Sequence, residues 1–306
     1  MGISSKPQPA VGRTATPLPV GFRLAEGDLE ILRLVFAFRF ACIEHLCALT
    51  GRSYVAIHRR LSKLTRHRYL YRIVRPFQKH IYAIGKAGIP LLVERGVASK
   101  EALDQRLRHH ELKDLFIKHQ MMLVDLHAIL TLATRDSHVK LVGWHEGPNL
   151  RDSVTFSEDN RRHKLPVRPD AFFTLQDDRR PEGQNRAHFF LEADRSTTSH
   201  TRFQKKLKAY WHYGQQGLHN RNFGIKRFRV VVVTLTPERA RNLCQTAAEV
   251  LPQGQARQLF LFTAMKTFSL DEPDGILDEV FMRPGEHLTN GRCSLVPNEA
   301  KEPMKR

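Results

Sequence analysis

Ser53-Tyr-Val-Ala-Ile-His-Arg-Arg-Leu-Ser-Lys-Leu-Thr-Arg-His-Arg-Tyr-Leu-Tyr-Arg-Ile-Val74 changes period partway along its length. Ile57, Leu61 and Leu64 recur at i, i+4 and i+7, so one stripe of a helix is apolar. Ser53 suits the N-cap, because a short hydroxyl side chain can accept a backbone N–H of the first turn. The opposite face carries Tyr54, His58, Arg59, Arg60, Lys63 and Arg66. From Tyr69 the pattern becomes Tyr-Leu-Tyr-Arg-Ile-Val, rich in β-branched and aromatic residues, which reads as a strand.

Working outward, Asp28 opens a helix with Leu29, Leu32 and Phe36 on one stripe, beside Ile31 and Val35. A second helix is expected over Cys42 to Leu49, stopped by Gly51, which tolerates the left-handed C-cap. Downstream, His80-Ile-Tyr-Ala-Ile is a second strand, joined to the first through Arg75-Pro-Phe-Gln-Lys79. Three helices with a glycine turn form a helix-turn-helix, and the strand pair forms a wing. Residues 26–86 therefore resemble winged helix-turn-helix domains. Such a module presents its third helix to the major groove while the wing straddles phosphates. The expected DNA contacts are Arg52, Ser53, Tyr54, Arg59, Arg60, Lys63, Arg75 and Lys79.

Charge supports that expectation. The 306 residues hold 49 Lys and Arg against 31 Asp and Glu, a formal charge of +18. Residues 1–110 alone hold 19 basic and 7 acidic side chains, so most of the excess lies in the first third. A polyanionic partner follows, nucleic acid or an anionic surface. Ile31 to Leu49, read as the most apolar stretch, contains Arg33, Arg39, Glu44 and His45, so no membrane span is expected. Residues Met1 to Pro19 hold four prolines and no continuous apolar run, which argues against a secretory signal. Cys42, Cys47, Cys244 and Cys293 form no Cys-x-x-Cys pair and fit reduced thiols in the cytoplasm.

The remainder reads as a second domain. A long helix is expected from Glu111 to Arg135, then strands at Val139–Glu146, Val167–Leu175 and His188–Asp194, with a polar loop carrying Arg151, Arg161, Arg162 and Lys164. A basic helix from about Ser199 to Gly214 follows, then a strand at Arg229–Leu235, a helix opened by Pro237, and a strand at Gln258–Thr263. The order is αβββαβαβ. The expected division is a flexible leader at 1–22, the winged helix at 23–108, this domain at 109–270 and a C-terminal extension at 271–306.

This order, with Arg168-Pro-Asp-Ala on the second strand and Leu191-Glu-Ala-Asp-Arg-Ser-Thr on the third, resembles the PD-(D/E)xK superfamily. More narrowly, the winged helix, the long His-containing helix and these two motifs look like the replication-relaxation family of plasmids and other mobile elements, over roughly residues 26–265. The resemblance implies an α/β (α+β) chain in which a winged helix-turn-helix precedes a restriction-endonuclease-like domain.

The chemistry can also be read from the residues. A hard cation such as Mg2+ needs oxygen ligands, which Asp170 and Glu192 would supply, helped by Asp194 or Glu146. Side chains 192 and 194 share one side of a strand. The superfamily's usual Lys, two residues after the Glu, is replaced here by Asp194. Arg195, or Lys205 and Lys206 on the next helix, would stand in, and Lys205 is taken as the position. The candidate catalytic set is thus Asp170, Glu192, Asp194 and Lys205, with Asp170 and Glu192 as metal ligands. Alternatively, Asp170 caps a turn while Glu192 and Asp194 pair with Arg168 or Arg195.

Other chemistries find no motif. His109-His110-Glu111 with His119 is not a zinc-protease pattern, and no phosphate-binding P-loop or Gly-x-Ser-x-Gly elbow occurs. The expected function is binding of double-stranded DNA of a mobile element in replication, relaxation, transfer or transcriptional control. A Mg2+-dependent endonuclease and a protein-docking adaptor are the alternatives. Expected partners are the duplex, replication or transfer machinery, and a second copy of the chain as a homodimer.

Overall fold

The computed structural model describes residues 22–75, 78–99, 114–196, 199–286 and 291–296. Three helices come first: α1 (Glu26–Ala37), α2 (Ile43–Thr50) and α3 (Tyr54–Arg66). α1 begins two residues before the expected Asp28, because the Asp28 carboxylate turns back to accept the Ala25 N–H at 2.8 Å. Gly51 closes α2 at φ 69°, a conformation that costs glycine little. Ser53 Oγ accepts the Ala56 N–H at the start of α3. Ile57, Leu61 and Leu64 are fully buried against Ile31, Leu32, Val35 and Leu46. Each such side chain contributes ~1.5–3 kcal/mol by leaving water.

A hairpin follows, β1 (Leu70–Ile73) antiparallel to β2 (Ile81–Ile84), with Leu70 opposite Ile84 and Ile73 opposite Ile81. Ala41 bridges to Tyr82, tying the hairpin to the turn between α1 and α2. α4 (Gly88–Glu94) completes this unit.

The second unit is built on α5 (Asp114–Ala133) and a large mixed sheet. Its strands are β3 (Val139–His145), β6 (Ala171–Asp177), β7 (Arg186–Asp194), β8 (Arg229–Thr234), β9 (Phe260–Ala264), β10 (Phe281–Met282) and β11 (Arg292–Cys293). A separate hairpin is formed by β4 (Asp152–Glu158) and β5 (Arg161–Val167). The helices are α6 (His200–Gln215), α7 (Leu218–Phe223), α8 (Pro237–Val250) and the single turn α9 (Gln255–Gln258). The strand order is β11-β10-β9-β8-β7-β6-β3. β7, β8 and β9 run parallel, which requires crossovers, and α6 and α8 lie on them. The remaining neighbours are antiparallel, so the described chain is a mixed α+β structure.

Both faces of the sheet are covered, which explains why its central strands are unbroken apolar runs. Phe190, Val230, Val232, Phe260 and Phe262 point to α6 and α8; Phe189, Leu191, Val231, Val233 and Leu261 point to α5. The two units share a smaller core in which Phe38, Phe40, Leu49 and Ile81 meet Ile117, Val124 and Ala128 of α5. α5 is long and apolar enough, by length and composition, to cross a membrane, but half of that window is buried inside the protein.

Three differences from the αβββαβαβ expectation matter. Residues 152–167 form the β4–β5 hairpin rather than a polar loop; its alternating exposure leaves the side of Arg162, Lys164 and Pro166 in water, and Arg161 is exposed at the turn. The expected strand Val167–Leu175 is interrupted at Arg168-Pro169-Asp170, where β5 ends and β6 begins. Residues after 270 add β10 and β11 to the sheet edge, with Phe281 and Leu295 buried. The leader before Phe22, the His109-His110-Glu111 stretch with the expected helix start at Glu111, and the tail from Asn298 lie outside the described residues.

Candidate functional site

On α3 the basic residues divide into two groups. Arg59 and Lys63 are exposed and make no ion pair among the described residues. Tyr54 and Val55, 59% and 76% exposed, extend the same surface, where the Tyr54 ring stacks over His58. Arg66, on the same helix, and Arg72, on β1, add exposed cations. Arg60 behaves differently. It holds both carboxylate oxygens of Asp28, which is only 1% exposed, and its guanidinium lies 5.5 Å from the Phe22 ring. A buried carboxylate needs such a partner. Arg60 therefore fastens α3 to α1.

The remaining expected contacts are also engaged. Arg52 donates to the Gly27 carbonyl at 3.1 Å and pairs with Glu30. Ser53 is spent on the helix cap. Arg75 pairs with Asp114 at the start of α5, and Lys79 pairs with Glu44 at 2.8 Å. The Glu44 carboxylate raises the Lys79 ammonium above its ordinary value. Arg75 and Lys79 thus answer acids of this chain, whereas Arg59 and Lys63 do not.

A second cluster forms where β6 and β7 meet α5, α6 and α8. Asp170 sits just before β6, where its N–H donates to the Leu191 carbonyl at 2.9 Å. Its carboxylate accepts the Ala193 N–H at 2.8 Å and lies 3.0 Å from His119 Nε2 of α5. That hydrogen bond raises His119 above the ordinary imidazole range. Glu192 and Asp194 both face α6 and α8, as strand alternation requires. Glu192 is 4% exposed; it pairs with Lys206 and accepts the Tyr210 hydroxyl at 2.6 Å. Asp194 accepts Arg239 Nε of α8 at 2.7 Å and the Ser196 N–H at 3.2 Å.

Burial pushes Glu192 upward, opposed by Lys206 and reinforced by Asp170. Burial lowers Lys206, but Glu192 and Asp170 outweigh it and hold the ammonium above its ordinary value. Tyr210 is pushed well up by burial and by Glu192, so its hydroxyl keeps its proton.

Lys205 is exposed on α6, and its neighbour Lys206 meets the carboxylates instead. The sequence contained the signal: Lys206 lies three residues after Phe203 and four before Tyr210, on the buried stripe. His119, Tyr210 and Arg239 complete a cluster that sequence reading did not assemble. Glu146 stands apart, accepting Gln120 Nε2 at 2.6 Å and Trp144 Nε1 at 2.8 Å.

Mg2+ would need several of these oxygens at once. Each carboxylate of the cluster is already answered by internal donors, two of them the cations Lys206 and Arg239. Among the described residues, no group of three or more His, Cys, Asp or Glu side chains is arranged to hold a metal ion. In this arrangement the residues do not fit the ion.

The architecture and its two charged surfaces define a basic, mixed α+β protein in which a helical N-terminal unit is packed on a larger sheet unit. The family model described as replication-relaxation matches residues 32–227, more than half of the chain. The chain belongs to the replication-relaxation family. The matched stretch contains α3, Asp170, Glu192, Asp194 and Lys206. No curated protein and no solved structure matches it.

Proposed function

We propose that this protein binds double-stranded DNA of a mobile genetic element through the exposed face of α3. In this reading α1 to α3 with the β1–β2 hairpin are a winged helix-turn-helix, and α3 enters the major groove. The carrying observation is the division within α3: Arg60 is consumed by buried Asp28, while Arg59 and Lys63 project to solvent beside Tyr54 and His58. Cations without internal partners on one helix face give a polyanion an electrostatic footprint. The family match supports a role in replication or relaxation of plasmids and related elements. The protein would act in the cytoplasm, beside replication or transfer machinery and as a homodimer.

The sheet unit is read as a PD-(D/E)xK nuclease-like domain that supports binding rather than cleavage. The internal neutralisation of Glu192 by Lys206 and of Asp194 by Arg239 favours that choice.

Anisotropy titration of a labelled duplex from the DNA flanking the gene tests the reading. Arg59→Ala with Lys63→Ala should weaken binding at least about tenfold, while Arg75→Ala with Lys79→Ala should cost less. Equal binding by wild type and the α3 variant would refute the placement on α3.

A further inference from the structure

At the other end of β7 from Glu192 lies a surface with the opposite charge. Arg186 opens β7 and Arg229 opens β8, and between them is an open cleft of about 1020 Å3. Arg186 is about 20 Å from Glu192 at ~3.3 Å per residue of strand. No residue of the carboxylate cluster or of α3 lines the cleft. Lys226, Arg227 and Arg283 add to its walls, where Asp177 is a buried acid already paired with Arg179. Arg186, Lys226 and Arg227 are exposed and make no ion pair among the described residues. A second lobe of about 1270 Å3 shares the same three cations and extends the groove past Pro181 and Gly224.

Two further features narrow the ligand. Trp211, half-buried on α6, lines the wall and offers an aromatic surface. His219 is 8% exposed and also lines it; its Nε2 meets the Lys226 carbonyl at 3.1 Å, whereas its buried Nδ1 has no partner among the described residues. With the proton on Nε2, Nδ1 is left as an unanswered acceptor, which the diester phosphates of a DNA strand cannot satisfy and a nucleobase N–H can. Cations for a backbone, a ring for stacking and an acceptor for a base are the components of a single-strand site.

We infer that this cleft binds single-stranded DNA, with Arg186, Lys226 and Arg227 on the phosphates and Trp211 against a base. The site stands independently of duplex binding by α3. A duplex gripped by α3 and a strand held here would suit a protein acting where a duplex is opened.

The test uses the full chain and a fluorescein-labelled oligo(dT) of about 12 nucleotides, within the ~4–16 nucleotides usual for one binding module. Wild type should bind, with quenching of tryptophan emission that Trp211→Phe removes. Arg186→Ala with Arg227→Ala should weaken oligo(dT) at least about tenfold and reduce the slope of log K against log salt by about 1.4, at ~0.7 per phosphate. The same variant should keep its duplex affinity and its Tm. Arg59→Ala with Lys63→Ala should lose duplex binding but keep oligo(dT), so failure of either site is read separately. Absence of oligo(dT) binding by the wild type, or its persistence in the Arg186/Arg227 variant, overturns the inference. Thymidine monophosphate binding as tightly as oligo(dT) also overturns it, because the cleft would then hold a nucleotide.

Discussion

His45 Nε2 on α2 lies 2.7 Å from Asp125 Oδ1 on α5, and this contact fastens the helical unit to the sheet unit. His45 is 1% exposed, with its Nδ1 2.9 Å from Cys42 Sγ. Burial alone would lower the imidazole, but hydrogen bonds with Asp125 and Cys42 raise it to about 9. That value favours the charged ring at neutral pH, whereas the Cys42 backbone N–H, 3.2 Å from Nδ1, favours the neutral one. Nearby, Arg135 Nη2 donates to the Leu49 carbonyl at 2.8 Å across the same boundary.

The raised value gives this contact a defined pH dependence. Its stabilisation is fully present below the unfolded value of ~6.5 and is lost as pH rises through about 9. Asp125→Asn should cost about 1–3 kcal/mol at pH 6, a range discounted because Asp125 is 39% exposed. The cost should fade by about pH 10. Thermal melts of wild type and variant across this range check it; a gap constant with pH contradicts the ion pair.

Adjacent arginines on α3 should behave as opposites. Arg60→Ala strands buried Asp28 without its partner and should destabilise the protein by about 3–5 kcal/mol. Arg59→Ala should change stability by no more than about 0.5 kcal/mol, yet weaken duplex binding. Urea melts with parallel anisotropy titrations separate the two; similar Tm losses for both would place Arg59 in the fold rather than on its surface.

Much of this division was available in the sequence. Ile57, Arg60 and Leu64 are spaced by three and four, so Arg60 shares the buried flank, while Arg59, Lys63 and Arg66 share the outer one. α1 to α3 were legible because a strong 3.6-residue period is bounded by Gly51 and Ser53. The β4–β5 hairpin was not, because its exposed positions carry arginine and lysine and only one side is covered. Lys206 could have been chosen over Lys205 from its spacing to Phe203 and Tyr210. The pairing of His45 with Asp125, Arg75 with Asp114 and Lys79 with Glu44 depends on how elements pack, and no local pattern encodes it.

The carboxylate cluster should be sensitive to loss of its internal cations. Lys206→Met leaves Glu192 buried and unpaired and should cost about 3–5 kcal/mol. Glu192→Gln in the same chain should recover most of that loss, which a double-mutant cycle in urea measures. Failure of Glu192→Gln to recover stability would show that Lys206 acts by packing alone.

The same network should keep Mg2+ out. Adding Mg2+ or Mn2+ should leave Tm unchanged, and supercoiled plasmid should stay intact. A metal-dependent rise in Tm, or nicking, that Asp170→Ala removes would restore the endonuclease reading.

The central claim is tested most directly by the salt dependence of duplex binding for wild type and for Arg59→Ala with Lys63→Ala. Two lost phosphate contacts should make the slope of log K against log salt shallower by about 1.8, at ~0.9 per phosphate on duplex DNA. An unchanged slope, with the same affinity at every salt concentration, would show that duplex DNA does not lie against α3.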